Sequence, residues 1–334
     1  MIHAYNDSTA DAIWRRAWTD VSGACTARKN SNKGDSKELL HVAFGLSDPR
    51  QRFVYSRQPG VNIAFAIAEV VWIVGGRRDA AFLQPWNNAL PSFTGTEAEL
   101  HGAYGYRLRR HFGFDQLARA ASALSNEPHQ RQVVLQVWDA PLDLPGADGN
   151  TQSDDIPCNT LSLLKVAEGR LEWLQVMRSN DLILGLPYNL FQWTSLQEIV
   201  AGWIGVELGT YNHISDSLHV YDRDRSNYGL TEEILDCENL DDLRLPPEKS
   251  AQVFGVLEDT IENLANAATA DEVEGILLGV NVPDAYLNWL RVMAAERLRR
   301  MKQLQRSLEM VEEITNPALA TSLEVWNSRF RIPQ

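Results

Sequence analysis

Polar and apolar positions divide the chain into short segments of distinct type. Residues 10–21 predict a helix and 39–46 a strand. Between them, 27–37 (ARKNSNKGDSK) is polar and basic and predicts a loop. Residues 61–75 (VNIAFAIAEVVWIVG) are apolar on nearly every side, with one acid, Glu69, in the middle. That length is too short to span a bilayer, so the segment predicts a buried core helix, stopped by Gly75 and Gly76. Residues 114–124 predict a surface helix and 132–138 a strand. Residues 141–155 hold Pro, Gly, Asn and four Asp, the composition of a loop. Strands follow at 159–166 and 171–179, with Glu168-Gly169 between them as a hairpin turn. Residues 188–203 predict a helix led by Pro187, and 211–214 a short strand. After about Asp236 the pattern is helical, at 248–265, 270–278 and 284–314. The last is long, amphipathic and basic in its middle (ERLRRMKQLQR). Such a face can meet a membrane or a partner, but a solvated face on a packed helix is its ordinary reading.

Composition narrows the function classes. At 334 residues the chain matches two average domains, or one large α/β domain with additions. Its formal net charge of −13 argues against gripping a nucleic-acid backbone, while leaving room for a local basic cluster that holds one small phosphate. No run of apolar residues is long enough for a membrane span, and the N-terminus lacks a basic region followed by an apolar stretch. The expectation is a cytoplasmic protein that binds neither nucleic acid nor membrane. Cys25, Cys158 and Cys237 are odd in number and widely spaced, which suits thiols in a reducing compartment rather than a disulfide framework or a zinc site. No repeat, phosphate-binding Gly-rich loop or HExxH motif is present, and no metal is expected.

Cys158 follows Pro157 where the acidic loop meets a strand. A thiolate there could add to an electron-poor carbon if a positive neighbour lowers its pKa, although a lone Cys beside a strand is ordinarily structural. The downstream context changes that weighting. Arg178-Ser179-Asn180-Asp181 comes 20 residues later, then Gly185-Leu186-Pro187-Tyr188-Asn189, then His219-Val220-Tyr221. Four motifs in register resemble the thymidylate synthase and pyrimidine nucleotide hydroxymethylase family. Upstream, Glu69 with Trp72 behind it, His101-Gly102-Ala103-Tyr104-Gly105, and Arg131 before a strand ending at Trp138 match further segments of that family. The resemblance covers roughly residues 10–225.

The resemblance implies a thymidylate synthase-like α/β fold: a mixed, twisted sheet covered by helices on one face, with a helical C-terminal addition. Residues 1–235 would form the catalytic domain and 236–334 an extension packed on it. It implies one-carbon transfer from 5,10-methylenetetrahydrofolate to C5 of a uracil nucleotide, dUMP to dTMP in a synthase. By the same resemblance Cys158 is the nucleophile, and Arg178 holds its thiolate and pairs with the substrate phosphate. Glu69 serves proton relay through ordered water, and Tyr104 is a further catalytic residue; burial would raise the carboxyl's pKa, as a relay needs. Asn189 reads the base, because an amide both donates and accepts and so pairs with O4 and N3–H of uracil. Its other ready use is a helix N-cap. Ser179 contacts phosphate, and His219 and Tyr221, on one face of an extended segment, bind the sugar. Asp181, Trp86 and Gly185 contact folate. The family is a homodimer in which Arg131 would reach the partner subunit's phosphate site, with Lys33 ranked ahead of Lys29 and Arg28 as the basic residue of the N-terminal loop. Gln132 stands where a second arginine is usual.

Asn159 follows Cys158 where the synthases usually have His, Ser217 replaces an Asp, and the family's C-terminal lid has no match in residues 326–334. Exclusion of water decides the product: hydride transfer leaves a methyl group, whereas water leaves a hydroxymethyl group. Methylation is the first expectation and 5-hydroxymethylation of dUMP, dCMP or CMP the alternative. A non-catalytic nucleotide-binding relative is the third.

Overall fold

The computed structural model describes residues 2–23, 27–31 and 34–330. Its centre is an eight-stranded mixed sheet. The strands are β1 (His3–Asp7), β2 (Ala27–Ser31), β3 (Gly34–Leu46), β4 (Val134–Gln136), β5 (Asn159–Ala167), β6 (Arg170–Met177) and β7 (Glu207–Tyr221), with a two-residue strand at Asn180–Asp181. The order is β1-β3-β7-β6-β5-β4; β2 pairs with β3, and Asn180–Asp181 with β7. The β1–β3 and β6–β7 pairs are parallel, and β3–β7, β5–β6 and β4–β5 antiparallel.

The principal helices before the C-terminal region are α1 (Ala10–Gly23), α2 (Ile63–Val74), α3 (Gln116–Asn126) and α4 (Leu186–Ile204). α2 is the apolar helix the sequence predicts, begun by Asn62, whose side chain accepts from Phe65 N. The turn at Tyr104–Tyr106 crosses α2 so closely that a Cβ on Gly105 would lie 2.4 Å from Ile73 O. α4 carries Pro187 in its first turn and ends at Gly205, φ 81°. Its inner side meets β6, where Trp193 and Trp173 lie 6.2 Å apart between ring centroids. Among the described residues no helix is long and apolar enough to cross a membrane.

The other sheet face carries an apolar patch that is incompletely covered. Register aligns Val134, Leu163 and Leu174 in one row and Leu161, Val176 and Ile214 in the next. Val134 is 48 % and Ile214 37 % exposed.

After Asp236 come α5 (Pro247–Asn266), α6 (Ala270–Leu278), α7 (Asp284–Arg300), α8 (Leu304–Glu312) and α9 (Pro317–Ser328). α5, α7 and α9 all pack on α2.

Four expectations change. Within the basic segment, residues 27–31 and 34–37 are strand rather than loop: Ala27 pairs with Lys37 and Arg28 with Ser36. Ladder hydrogen bonds join backbone to backbone, so a polar sequence can take them when a long neighbour is present. The short strand at 211–214 is a 15-residue strand, because β3 and β6 supply partners on both its sides. The expected helix 284–314 breaks around Lys302, φ 64°, where α8 folds back on α7 and Ser307 Oγ donates to Ala295 O at 2.8 Å. The expected strand 132–138 shortens to β4, and α9 was not anticipated.

One buried ion cluster ties α4 to the segment before α2. Glu198 is fully buried and accepts from Arg52 and, at 3.1 Å, from Arg50 Nε, while Arg52 Nη1 donates to Ser195 Oγ at 2.6 Å. Glu198→Ala would leave Arg52 charged and uncompensated, with an expected loss of about 3–5 kcal/mol. A lowered urea midpoint would show it; an unchanged midpoint would count against the cluster's structural weight.

Candidate active site

The antiparallel β5–β6 hairpin brings Cys158 and Arg178 side by side: Arg178 N donates to Cys158 O at 3.0 Å. Arg178 Nη2 then reaches 3.9 Å from Cys158 Sγ. The guanidinium is braced by bonds of 3.0 Å to Pro157 O and Ile156 O, and lies 5.7 Å from the Trp138 ring centroid. A fixed positive charge beside a half-buried sulfur favours the thiolate over the thiol. Neither Cys158 nor Cys237 is in a disulfide; Cys237 Sγ meets Thr321 Oγ1 at 3.3 Å, away from that charge. Cys25 lies outside the described residues.

Glu69 projects from the middle of α2 toward α4. Burial pushes its carboxyl up to about 8, against a hydrogen bond from Gln192. Its Oε2 is buried and without a hydrogen-bond partner among the described residues. An acid in this setting is protonated near neutral pH and has one oxygen unused. Tyr104 connects the two halves of the site. Burial raises its hydroxyl pKa first, then the negative charge of Cys158; Asn159 hydrogen-bonds the hydroxyl and opposes this, and Asp155 and Glu69 add to the rise.

Asn189 lies in the first turn of α4, 6 % exposed. Its Nδ2 donates to Gly185 O at 3.0 Å and to Asn180 Oδ1 at 3.3 Å, and its Oδ1 accepts from Asn159 Nδ2 at 3.4 Å. It is therefore not the helix N-cap; Gly185 takes that position. Gly185 permits the close approach, since a Cβ there would lie 2.9 Å from Asn180 Oδ1. Asp181 Oδ1 accepts from Ile183 N at 2.7 Å and Leu184 N at 2.8 Å. Burial raises the Asp181 pKa, against those amides and His219. His219 and Tyr221 share an edge-on ring contact with centroids 4.9 Å apart. Burial, then Asp181, raises the Tyr221 pKa, and Cys158 also contributes, so the tyrosine stands within electrostatic reach of the thiol.

Ser179 is partly buried in the turn after Arg178. Arg131 is exposed just ahead of β4. Trp86 is fully enclosed, its carbonyl accepting from Asn62 Nδ2 at 2.8 Å and Arg300 Nη2 at 2.7 Å. Contacts and fields thus join Cys158, Arg178, Tyr104, Glu69, Asn189, Asp181, His219 and Tyr221. Arg131 stands apart at the exposed approach to β4, and Trp86 is bonded instead to Asn62 and Arg300. Lys33 lies outside the described residues, and Arg28 and Lys29 fall on β2.

Sequence reasoning missed the polar groups beneath the site: Gln175, Asn180, Gln192 and His213. They are buried, and burial drives His213 down to about 3, so its imidazole is neutral. A signal was present in Trp173-x-Gln175 and Tyr211-x-His213-x-Ser215, where polar residues share the strand face of large aromatics.

The chain belongs to the thymidylate synthase family, whose family model matches residues 28–264. It is similar to a deoxyuridylate hydroxymethyltransferase of Pseudomonas phage M6, 35 % identical over 176 residues, covering 52 % of this chain and 49 % of that protein. A protein of the same description from Bacillus phage SP01 is 34 % identical over 211 residues, 59 % of this chain and 53 % of the relative. A thymidylate synthase of Francisella philomiragia subsp. philomiragia is 25 % identical over 217 residues, 60 % of this chain and 77 % of the relative. The chain spans about half the length of the two phage relatives.

Proposed function

We propose that the protein transfers a one-carbon unit from 5,10-methylenetetrahydrofolate to C5 of dUMP and completes it with water, giving the 5-hydroxymethyl nucleotide. The observation that carries the chemistry is the braced Arg178 guanidinium 3.9 Å from Cys158 Sγ. Cys158 attacks C6 of the uracil ring, making C5 nucleophilic. Arg178 stabilises the thiolate and, with Ser179, meets the substrate phosphate. Asn189 pairs with N3–H and O4, while His219 and Tyr221 hold the sugar. Glu69 and Tyr104 move protons at O4 and C5. Folate supplies the methylene carbon when bound, and Asp181 and Gly185 are the residues that would hold it, whereas the fully enclosed Trp86 offers it no surface; the buried, unpartnered Glu69 Oε2 suits a site that awaits a polar ligand. After tetrahydrofolate leaves, water adds at the exocyclic methylene and Cys158 departs from C6.

Hydroxymethylation is preferred over the methylation first expected. Two relatives at 34–35 % identity are described as deoxyuridylate hydroxymethyltransferases, and Asn159 stands beside the thiol where the synthases usually have His. We assign catalysis to residues 1–235, with 236–334 as a helical brace packed on that unit. The α7 residue Arg300 supports this by holding Trp86 O at 2.7 Å and Asn88 Oδ1 at 3.1 Å. The uncovered apolar sheet face suits a homodimer in which Arg131 serves the partner's phosphate site, in a reducing cytoplasm.

The test is incubation with methylenetetrahydrofolate and dUMP, UMP, dCMP or CMP in turn, with product masses read. A gain of CH2O on dUMP without dihydrofolate absorbance is expected. A gain of CH2 with dihydrofolate would make the protein a methylating synthase, and no turnover would leave a nucleotide binder. Asn189→Asp should shift preference toward dCMP by roughly 10- to 100-fold, since a protonated carboxyl suits the cytosine edge. An unchanged kcat/KM ratio would remove Asn189 from base reading.

A further inference from the structure

We propose that Gln175, a residue beneath the site, is a positioning residue that sets base choice by fixing which way the Asn189 amide faces. The proposal rests on the reading of Asn189 as the base-contacting residue.

The observation is a hydrogen-bond chain with a single direction. Trp173 Nε1 donates to Gln175 Oε1 at 3.2 Å, and Gln175 Nε2 donates to Asn159 Oδ1 at 2.9 Å. Asn159 Nδ2 donates to Asn189 Oδ1 at 3.4 Å, and Asn189 Nδ2 donates to Gly185 O at 3.0 Å. An indole N–H can only donate and a backbone carbonyl can only accept. The two ends therefore dictate the orientation of every amide between them. Turning any one amide over would set donor against donor or acceptor against acceptor at both its contacts. Ser162 Oγ adds a second bond to Gln175 Oε1 at 2.6 Å. Gln175, Asn159, Trp173 and Ser162 are all almost fully buried, so water cannot repair a reversed link.

The fixed orientation has a chemical consequence. Asn189 Oδ1 keeps a second lone pair for a ring N3–H. Its Nδ2 can exchange the longer contact to Asn180 Oδ1, 3.3 Å, for the O4 acceptor. That is the uracil pattern; cytosine presents an acceptor at N3 and a donor at C4.

Two substitutions at position 175 separate this from a packing role. Gln175→Met keeps the length and removes both polar contacts. Gln175→Glu keeps the shape: its protonated carboxyl can accept from Trp173 and donate to Asn159 as the amide does, whereas the ionised form can only accept. The measurement is the dUMP-to-dCMP ratio of kcat/KM for the full-length protein from about pH 6 to about pH 9, divided by the wild-type ratio at each pH. Gln175→Met should lower the normalised ratio about 10-fold or more throughout. Gln175→Glu should approach the wild-type ratio at low pH and lose it by a similar factor at high pH. Trp173→Phe, which removes the donor-only end, should also lower the ratio, and serves if a position-175 variant does not fold. A selective wild type whose folded variants keep its ratio at every pH would overturn the proposal alone. A wild type that turns over neither nucleotide would overturn the functional reading, and the proposal with it.

Discussion

Cys158→Ala is expected to abolish turnover, by a factor on the order of 10^6, the scale seen when a covalent nucleophile is removed. The reason is chemical. Without the sulfur no group in the site can add to C6, and C5 of the ring stays a poor nucleophile. Arg178 donates its other bonds to the carbonyls of Pro157 and Ile156, so its guanidinium should stay in place when the side chain of Cys158 is shortened. The fold should survive, because Cys158 is half-buried at a strand end. The direct readout is a covalent complex of the protein, 5-fluoro-dUMP and methylenetetrahydrofolate, observed by mass spectrometry under denaturing conditions. Wild type should form it and Cys158→Ala should not. A variant that still formed the complex would move the nucleophile elsewhere.

Glu69→Gln should lower kcat about 10²- to 10⁴-fold, the range for removing a positioned proton donor. The same substitution has an opposite effect on stability. The Glu69 carboxyl titrates near 8 in the fold, against an ordinary 4.5. Between those values the folded protein holds a proton that the unfolded chain has lost, so folding stability falls as pH rises through that window and levels off above it. The neutral amide carries no such penalty. Glu69→Gln should therefore lose wild-type stability least at high pH, and by about pH 9 it should exceed wild type by a few kcal/mol. Urea midpoints at about pH 6 and pH 9 measure it. Parallel curves for the two proteins would mean that Glu69 is not buried as described. A gain in stability joined to a loss of rate marks a group held in an unfavourable place for chemistry.

The linear chain made a good part of this visible. α2 was legible because an apolar run with one acid has few other readings, and the β5–β6 hairpin because Glu168-Gly169 sits between two strand-forming runs. The motifs from Cys158 to Tyr221 singled out residues that the fold brings together, Arg178 to Cys158 and Asn189 to Asn180 among them. Much less legible was the polar layer underneath. Gln175 and His213 look like ordinary strand residues until Trp173 and Tyr211 are found on the same buried face. The basic segment 27–37 read as a loop because strand pairing there depends on the backbone of β3, which side-chain character does not report.

Side-chain type and periodicity along the chain were enough to mark candidate residues for chemistry and the course of most helices. How those groups behave follows from the folded arrangement around them. The charge beside Cys158, the proton on Glu69 and the direction of the Asn189 amide each depend on neighbours many residues away in sequence. Burial and hydrogen-bond direction are properties of the space around an atom, and that space exists only once the chain has closed upon itself.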